Sequence, residues 1–475
     1  MNEKNILKRQ YKLFVTICVV VGFIVGTGIF WLPGRVLYYS GGDMWTGVAS
    51  WVVGGVVIST CVYMFSVLSA KYEKMHGMVD YAEAIVGEKY GYLSGWFFAI
   101  MYQTAGYAII AWISASFTAT LAGHEQTRNT PFVFFLTAFY MVITFTINYL
   151  APKLPMRLNV FTTVVRVIPL VLMGTVGLLV AVIVNDTSVT STAASGSEGL
   201  SDPSFLGAVV ATVFAYNGWQ AAVAFNSEVK DSKRTFPIAL LLGFFVVMVI
   251  YVLYFMGVVS AGDPALLMAN NQLGTRAAFV NIFGGMASNV LMVFVIISGL
   301  GILNMCCMGM SRGLYSLARR ERGPIPERMV QLDPQTNVPV CSMITCVGVS
   351  FLWLLVIYGN YNGWYGTVNE RNFAFNLPDF YNMIFFVLLI PIFAGFIIRH
   401  RKDTTIHWFN RFAAPLLAIG GAGFMIYARI ASSPIHAAVY FGAFVVLGLV
   451  GVICCASVYR RIFEFIRRRF PWSKE

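Results

Sequence analysis

The stretch Val21–Gly34, with the sequence VGFIVGTGIFWLPG, interrupts an apolar segment that is long enough to cross a bilayer as one helix. Gly22, Gly26 and Gly28 lie in its middle, and Pro33 follows about one turn later. Glycine destabilises a helix interior by about 1 kcal/mol relative to alanine, and proline removes a backbone donor. The pattern therefore predicts a membrane helix whose backbone opens near its centre.

An opened helix exposes unpaired amide groups in one direction and unpaired carbonyl groups in the other. In hydrocarbon this is tolerated only where the broken backbone lines a cavity. The amides favour a carboxylate and the carbonyls favour an ammonium, and the backbone of an amino acid has both groups. The alternative interpretation is close packing of two helices, because Gly22 and Gly26 also form a small-xxx-small pattern.

The composition is typical of a polytopic membrane protein. The chain has 475 residues, of which 58% are hydrophobic and 11% are charged, whereas soluble domains contain about 25% charged residues. Its mean hydropathy is +0.72.

The polar start runs directly into a full-length apolar span, so we expect no cleavable signal peptide. The eight cysteines all fall in apolar segments, which predicts reduced packing residues, not disulfides or a metal cluster.

Twelve membrane spans are predicted from the apolar segments. The segment 72–90 mixes charged and apolar residues and predicts a short amphipathic helix on the cytoplasmic surface. The segments 184–203 and 262–274 are expected to be external loops, the second of them partly helical. The predicted spans cover about residues 14–38, 45–70, 94–122, 131–150, 159–184, 204–227, 236–260, 277–312, 339–358, 378–398, 408–430 and 435–458.

The distribution of basic residues predicts the topology. The net charge is +12, with 33 Lys and Arg residues. Arg166 lies within a span, and only five basic residues lie in the predicted outer segments, at positions 35, 128, 276, 371 and 429. Because basic residues concentrate on the cytoplasmic side, both termini are predicted to be cytoplasmic. The basic tail 459–475 is expected to lie along the anionic inner leaflet of the plasma membrane.

A second interruption is predicted in the sixth span, where the sequence FAYNGW occupies residues 214–219. Paired interruptions in inverted halves are the best sequence indication of a secondary transporter's binding site. The predicted fold is therefore all-α and a single membrane domain over residues 1–475. Its first repeat is expected over 14–184, its second over 204–398, and two additional helices over 408–458.

Several motifs occur in order on these spans. The sequence VGTGIFWLPG at 25–34 resembles the G-S-G-I-F-x-x-P signature of the first helix in the amino acid–polyamine–organocation superfamily. The run FAYNGW, followed by residues 227–237, resembles the sixth-helix motif of its L-type amino acid transporter family. The pattern S-x-x-G-x-x-N at 298–304 and the run 311–319 resemble the eighth helix of that family and the loop behind it.

This resemblance implies a LeuT-type fold of twelve helices, with five-helix inverted repeats and interrupted first and sixth helices. It also implies alternating access and sodium-independent transport of amino acids, usually by exchange. Animal members of the family pair with a glycoprotein subunit through a cysteine in an external loop. The corresponding loop 123–130 has no cysteine here, so we expect a prokaryotic-type member without a disulfide-linked heavy subunit.

Three positions depart from the family pattern. Thr27 replaces the usual serine, Asn217 occupies a variable position facing the side-chain pocket, and Arg166 stands where many members have a lysine on the fifth helix. In the family, that lysine takes the place at which sodium-coupled relatives of the fold hold a sodium ion. Arg166 is predicted to supply the same positive charge, facing Ser298 and carbonyls of the first helix. Because arginine keeps its proton at working pH, it cannot take part in a proton cycle.

The substrate is predicted to bind at the two breaks. Its carboxylate is expected to meet the amides of Thr27, Gly28 and Ile29, and its ammonium the carbonyls near Ile24, Val25, Phe214 and Ala215. The predicted binding set is Ile24, Val25, Gly26, Thr27, Gly28, Ile29, Phe214, Ala215, Tyr216 and Asn217. The predicted coupling and gating residues are Arg166, Ser298, Phe214 and Asn304. Structural alternatives stay open, namely core packing for Phe214 and Tyr216 and hydrogen bonds within or between helices for Ser298 and Asn304.

Other function classes lack support in the sequence. No predicted span has a central Asp or Glu, and the five histidines lie in loops or at span ends, which argues against a membrane enzyme or haem carrier. No G-x-x-x-x-G-K-[ST] loop occurs, so nothing supports a nucleotide-driven pump. We expect no cofactor, metal or nucleic acid partner. The predicted pocket has no evident charged side chain, which favours neutral amino acids, and proton-coupled symport and facilitative uniport remain alternatives to exchange.

Overall fold

The computed structural model describes residues 11–72, 77–124, 130–152, 154–184, 203–223, 229–362, 364, 367–368, 371–372 and 377–455. Over these residues the chain is almost entirely helical, with one short antiparallel hairpin of β1 (Thr367–Val368) and β2 (Arg371–Asn372). The predicted external loop 184–203, most of the loop 123–130 and the basic tail 459–475 lie outside the described residues.

The helices account for nearly all of the predicted spans. In chain order they are α1 (Leu13–Ile24), α2 (Gly28–Trp31), α3 (Pro33–Tyr39), α4 (Met44–Lys71), α5 (Met78–Ile85), α6 (Glu88–Phe97), α7 (Gln103–Leu121), α8 (Pro131–Leu150), α9 (Leu154–Val184), α10 (Phe205–Tyr216), α11 (Trp219–Ala222), α12 (Ser232–Ala261), α13 (Pro264–Ala269), α14 (Asn271–Ala318), α15 (Pro326–Met329), α16 (Val340–Tyr361), α17 (Leu377–His400), α18 (Ala414–Ser432) and α19 (Pro434–Ile453). Two π-helical turns, Phe98–Tyr102 and Phe409–Ala413, precede α7 and α18. In the described part, 11 helices are long and apolar enough to cross a membrane.

Both predicted interruptions are present. In the first span, residues 25–27 separate the end of α1 from the start of α2. In the sixth span, Asn217 and Gly218 separate α10 from α11, and Gly218 has a φ of +112°, which glycine adopts without strain. The sixth span is not among the 11 candidate membrane helices of the described residues, and the exact count of twelve is not confirmed.

The two breaks touch each other through their backbones. A Cβ atom at Gly218 would overlap the backbone carbonyl group of Phe23, at the end of α1. The absence of a side chain at Gly218 therefore lets the sixth span approach the first at the point where both lose their helical hydrogen bonds.

The predicted start of the eighth span, in the range 277–312, is wrong. The helix α14 bends at Gly284, whose φ of +79° and ψ of +166° are not helical. Residues 271–283 lie at one end of the bundle against α3 and α13, and the spanning part is Ser288–Ala318. The apolar pattern continues through the bend, so only the Gly284–Gly285 pair marks it in the sequence.

Elsewhere the predicted boundaries differ from the structure by a few residues. The second and fourth spans, predicted over 45–70 and 131–150, are Met44–Lys71 and Pro131–Leu150. The helix α5 lies in the segment 72–90, where a short amphipathic helix is predicted, and α13 forms the helical part of the loop 262–274. All eight cysteines are free thiols, as predicted.

Glycines bring α9 and α12 into backbone contact. A Cβ atom at Gly177 would lie 2.8 Å from the Cα atom of Gly257, and one at Gly257 would overlap the carbonyl group of Met173. Close approach at small residues is the usual way in which helices associate inside membranes. Because α9 contains Arg166 and α12 contains Tyr251, this contact also fixes where these two side chains reach the centre of the bundle.

We predict that Gly257→Val destabilises the fold by roughly 1–3 kcal/mol, because the new side chain forces α9 and α12 apart. The measurement is thermal unfolding of the purified protein in detergent. Gly348→Val is the matched control, since Gly348 is an exposed glycine of α16 with nothing within 4 Å of its Cβ position. Equal melting temperatures for the two variants would contradict the assignment.

Candidate functional site

A cavity of about 530 Å³ lies against both helix breaks. Its wall includes Gly26–Gly28 of the first span, Asn217 and Gly218 of the sixth, Tyr381 of α17, and faces of α7 and α14. It continues along α14 to the end of the bundle where α5 lies. The broken backbone thus lines a cavity, as its presence within a membrane requires.

The cavity brings together predicted binding residues from two spans that are distant in sequence. Three of the predicted residues, Val25, Ile29 and Tyr216, are fully buried behind the breaks and do not line it. The ring of Phe214 lies over Gly28, 3.0 Å from the position of a Cβ atom there. The predicted residues that line the cavity are Ile24, Gly26, Thr27, Gly28, Phe214, Ala215 and Asn217.

Arg166 of α9 is fully buried, with its guanidinium against the first break. Its Nη1 donates hydrogen bonds to the carbonyl groups of Gly22, at 2.7 Å, and Val25, at 2.9 Å. Its Nε and Nη2 donate to the carbonyl and the hydroxyl of Thr162, at 3.0 and 2.8 Å. Hydrogen bonds from a charged donor are about twice as strong as neutral ones. The carbonyls that end α1 therefore face a fixed positive charge.

Tyr251 of α12 is a residue of this site that the sequence does not reveal. Its hydroxyl lies 3.1 Å from the carbonyl of Ile24 and 3.1 Å from that of Ala215, so one phenol bridges the two breaks. The ring is fully buried against Trp51 and Tyr216, at centroid distances of 5.7 and 5.4 Å. An aromatic residue in an apolar helix resembles any packing residue, and no local pattern distinguishes Tyr251.

The carbonyls predicted to bind the substrate's ammonium thus already interact with side chains of the protein. Val25 accepts from Arg166, and Ile24 and Ala215 face the hydroxyl of Tyr251. A carbonyl oxygen has two lone pairs, so the carbonyls of Ile24 and Ala215, which line the cavity, can each accept a second hydrogen bond from a ligand. The buried side chains fix the direction of these carbonyls without occupying the cavity.

Side-chain amides form hydrogen bonds at the second break. The Oε1 of Gln220 accepts a hydrogen bond from the amide of Gly218 at 3.1 Å, and its Nε2 donates to the hydroxyl of Tyr102. The Nδ2 of Asn217 donates to the Oδ1 of Asn382 on α17 at 2.6 Å. The break in the sixth span is therefore tied both to the π-helical turn before α7 and to α17.

Two of the predicted coupling residues, Ser298 and Asn304, lie on α14 outside the cavity lining. The hydroxyl of Ser298 is buried and has no hydrogen-bond partner among the residues that the structure describes. Asn304 donates to the carbonyl of Leu300 at 2.9 Å and accepts from Asn148 of α8 at 3.0 Å. Of the alternatives left open for Asn304, the geometry favours the hydrogen bond between helices.

The charged side chains in the cavity wall lie far from the breaks. Among the lining residues that the structure describes, only Asp80 of α5 and Arg312 of α14 are charged. Arg312 lies about 15 Å along α14 from Ile302, at a rise of 1.5 Å per residue. Ile302 in turn faces Gly26, whose Cβ position is 2.6 Å from the Ile302 Cδ1. The part of the cavity next to the breaks is thus lined by uncharged groups.

Asn271 of α14 holds the kink at Pro33 at the opposite end of the bundle. Its Oδ1 accepts from the amide of Gly34 at 2.6 Å, and its Nδ2 donates to the carbonyl of Phe30 at 3.0 Å. These two backbone groups would bond each other in a continuous helix. One side chain therefore replaces a helical hydrogen bond and fixes α2 and α3 against α14.

A buried ion cluster joins α3 to three other helices at the same end. Arg35 lies 2.9 Å from the Oδ2 of Asp379 on α17, and Arg429 of α18 lies 3.1 Å from the same oxygen. Arg429 also donates to the hydroxyl of Tyr440 on α19 at 3.1 Å. One carboxylate is thus shared by two guanidinium groups.

The chain matches the family model described as amino acid permease over residues 11–459. The serine/threonine exchanger SteT of Bacillus subtilis (strain 168) is 25% identical over 460 residues, which cover 95% of this chain and 97% of that protein. The b(0,+)-type amino acid transporter 1 of Rattus norvegicus is 25% identical over 472 residues, which cover 99% and 90% of the two chains.

Among solved structures, this chain is similar to Mhp1, a nucleobase-cation-symport-1 family transporter in a closed conformation with bromovinylhydantoin bound. The TM-score is 0.52 at 14% identity, and the match covers 92% of this chain and 96% of that one. This likeness confirms the predicted LeuT-type fold. The family and the relatives are membrane transporters and not enzymes. By the match over nearly its whole length, the chain belongs to the amino acid permease family of the amino acid–polyamine–organocation superfamily, as its motifs predict.

Proposed function

We propose that this permease exchanges neutral L-amino acids across the plasma membrane by alternating access, without coupling to sodium. The observation that supports this most strongly is the pair of helix breaks on one cavity, which offers backbone amides and carbonyls to the two charged groups of an amino acid. Helix-end partial charges of about half an elementary charge suit such a ligand. Two relatives are named as a serine/threonine exchanger and an amino acid transporter.

In the proposed complex, the substrate carboxylate meets the amides of Thr27 and Gly28, which line the cavity, whereas the predicted third amide, that of Ile29, is buried behind them. The ammonium faces the carbonyls at the end of α1 and α10, which Arg166 and Tyr251 orient from behind. Phe214, whose ring lies over Gly28, covers the bound molecule as a gate. Since Asp80 and Arg312 lie far along the cavity, no charged side chain pairs with the substrate side chain, which favours neutral amino acids.

The structure supports an inward-facing arrangement when it is combined with the predicted topology. With both termini in the cytoplasm, the end of the bundle that contains α5 is the cytoplasmic end, and the cavity extends toward it. At the opposite end, Asn271 and the ion cluster of Arg35, Asp379 and Arg429 join α3 to neighbouring helices. Alternating access requires that these outer contacts open when the inner end closes.

Arg166 supports transport without sodium. The carbonyls of Gly22 and Val25 point at its guanidinium, so a metal cation at this place would have to displace a charged, hydrogen-bonded side chain. Arginine also keeps its proton at any working pH. Proton-coupled symport and facilitative uniport remain the competing modes, and they differ in what drives uptake.

The decisive experiment is uptake of a labelled amino acid panel into proteoliposomes that contain the purified protein. We expect neutral amino acids to enter several-fold faster when the vesicles hold unlabelled amino acid, with no change when potassium replaces sodium. Uptake without stimulation by internal substrate would indicate uniport. A steep rise with an imposed inward proton gradient would indicate symport, and no uptake of any amino acid would reject the proposal.

Arg166→Ala should lower exchange at least about tenfold, because two buried carbonyls lose their partner at roughly 1–3 kcal/mol each. Arg166→Lys should retain part of the activity. A buried lysine has a lowered pKa, so its charge is present at low pH and lost as pH rises. Exchange by this variant should therefore fall with rising pH while the parent stays flat. A parallel pH profile for both proteins would refute the assigned role of Arg166.

Tyr251→Phe removes one hydroxyl and should raise the KM for exchange by about two- to twelvefold, since a hydrogen bond contributes about 0.5–1.5 kcal/mol. Tyr254→Phe is the matched control, because Tyr254 lies one turn further along α12 and its buried hydroxyl has no hydrogen-bond partner in the described part of the chain. Both KM values come from initial rates in proteoliposomes. An equal effect of the two substitutions would show that Tyr251 does not orient the carbonyls.

A further inference from the structure

Glycines are unusually frequent in the wall of the cavity, and each needs a physical reason. Inside a helix, glycine costs roughly 0.5–1 kcal/mol relative to alanine. The usual reasons are a backbone conformation with positive φ or the close approach of another group. The glycines that line the cavity are Gly22, Gly26, Gly28, Gly77, Gly106, Gly218, Gly309 and Gly313.

Close contacts or conformation account for all of these glycines except Gly106. Gly77 has a φ of +133°, which a residue with a side chain rarely adopts. At the other positions a Cβ atom would press against a neighbouring group. The groups are Thr163 for Gly22, Ile302 for Gly26, Phe214 for Gly28, the carbonyl of Phe23 for Gly218, Gln103 for Gly309 and Ala99 for Gly313.

Gly106 has neither reason. It lies inside the regular helix α7, and its φ is not positive. Apart from its chain neighbours and the backbone of its own helix, no described atom lies within 4 Å of the place where its Cβ would be, although the residue is partly buried. Since Gly106 lines the cavity, the space that its missing side chain leaves is space inside the cavity.

Two neighbours of Gly106 on the same face of α7 border this space. Tyr102 precedes it by four positions and Ile110 follows it by four, so both lie next to it on one helical stripe, and both line the cavity. The π-helical turn Phe98–Tyr102 ends immediately before α7 and places Tyr102 and Gln103 together on the cavity wall. Turns of this kind occur often at functional sites.

We propose that the notch at Gly106, between Tyr102 and Ile110, receives the side chain of the transported amino acid and sets its upper size. This inference rests on the proposed function, because it takes an amino acid at the two breaks as the ligand. The notch is bounded by an aromatic ring and an aliphatic chain and has no charged neighbour on its stripe. It therefore suits uncharged side chains larger than that of alanine.

The test is a series of substitutions at this position, Gly106→Ala and Gly106→Val, with kcat/KM measured in proteoliposomes for alanine, leucine and phenylalanine. One methylene in an apolar pocket changes kcat/KM by about 10–200-fold. We expect Gly106→Ala to lower kcat/KM for the substrates leucine and phenylalanine at least about tenfold relative to kcat/KM for the substrate alanine. We expect Gly106→Val to abolish transport of leucine and phenylalanine while transport of alanine is retained. Size-exclusion chromatography reports folding, and Gly106→Ala alone answers the question if the valine variant fails to fold.

Gly348→Ala and Gly348→Val are the matched controls. Gly348 is a helical glycine of α16 that also has no atom near its Cβ position, but it lies on the outside of the bundle and not in the cavity. These controls should leave the substrate ratios unchanged. Equal losses for all three substrates in the Gly106 variants, retained transport of leucine and phenylalanine, or a parent that transports only alanine would each overturn the inference. A parent that transports no amino acid would instead reject the proposed function itself.

Discussion

Inside a membrane, each backbone group that leaves a helix must find a partner in the protein, and this requirement shapes the centre of the permease. Two helices open at facing positions, and side chains from other helices take up the groups that are freed. Arg166 binds the carbonyls at the end of α1, and Tyr251 bridges the carbonyls of both breaks. Gln220 takes the amide of Gly218. The open backbone is thereby stable without being closed to a ligand.

Arg166 and Tyr251 lie on the side of the breaks away from the cavity. Backbone contact between α9 and α12 fixes the two helices that contain them. The glycine contact between α9 and α12 holds Arg166 and Tyr251 at set distances from α1. The positive charge of Arg166 lies on the side of the carbonyls away from the cavity, which is lined near the breaks by uncharged groups. A zwitterion at the breaks would therefore meet partial backbone charges and no full opposite charge.

The sequence predicts the breaks because glycine is costly in a helix, and the cost is visible at Gly26, Gly28 and Gly218 without any knowledge of neighbours. It also places Arg166 within a span, where a charge needs an explanation. Tyr251 gives no such signal, since its role depends on two carbonyls that are distant in the chain. The bend at Gly284 is marked in the sequence only by a pair of glycines, because apolar residues continue on both sides of it. What the sequence lacks, in each case, is the identity of the partner across the bundle.

The shared carboxylate of Asp379 has a consequence for the movement that the proposed alternating access requires at this end of the bundle. Separating an isolated buried ion pair leaves an uncompensated charge, which costs several kcal/mol. Here α3 can move away with Arg35 while the same oxygen of Asp379 remains 3.1 Å from Arg429, whose helix α18 does not belong to the interrupted spans. The displaced guanidinium gains water as the end opens, and the carboxylate never loses its counter-ion. In the proposed alternating access, Asp379 would thus keep a counter-ion whatever the position of the first helix.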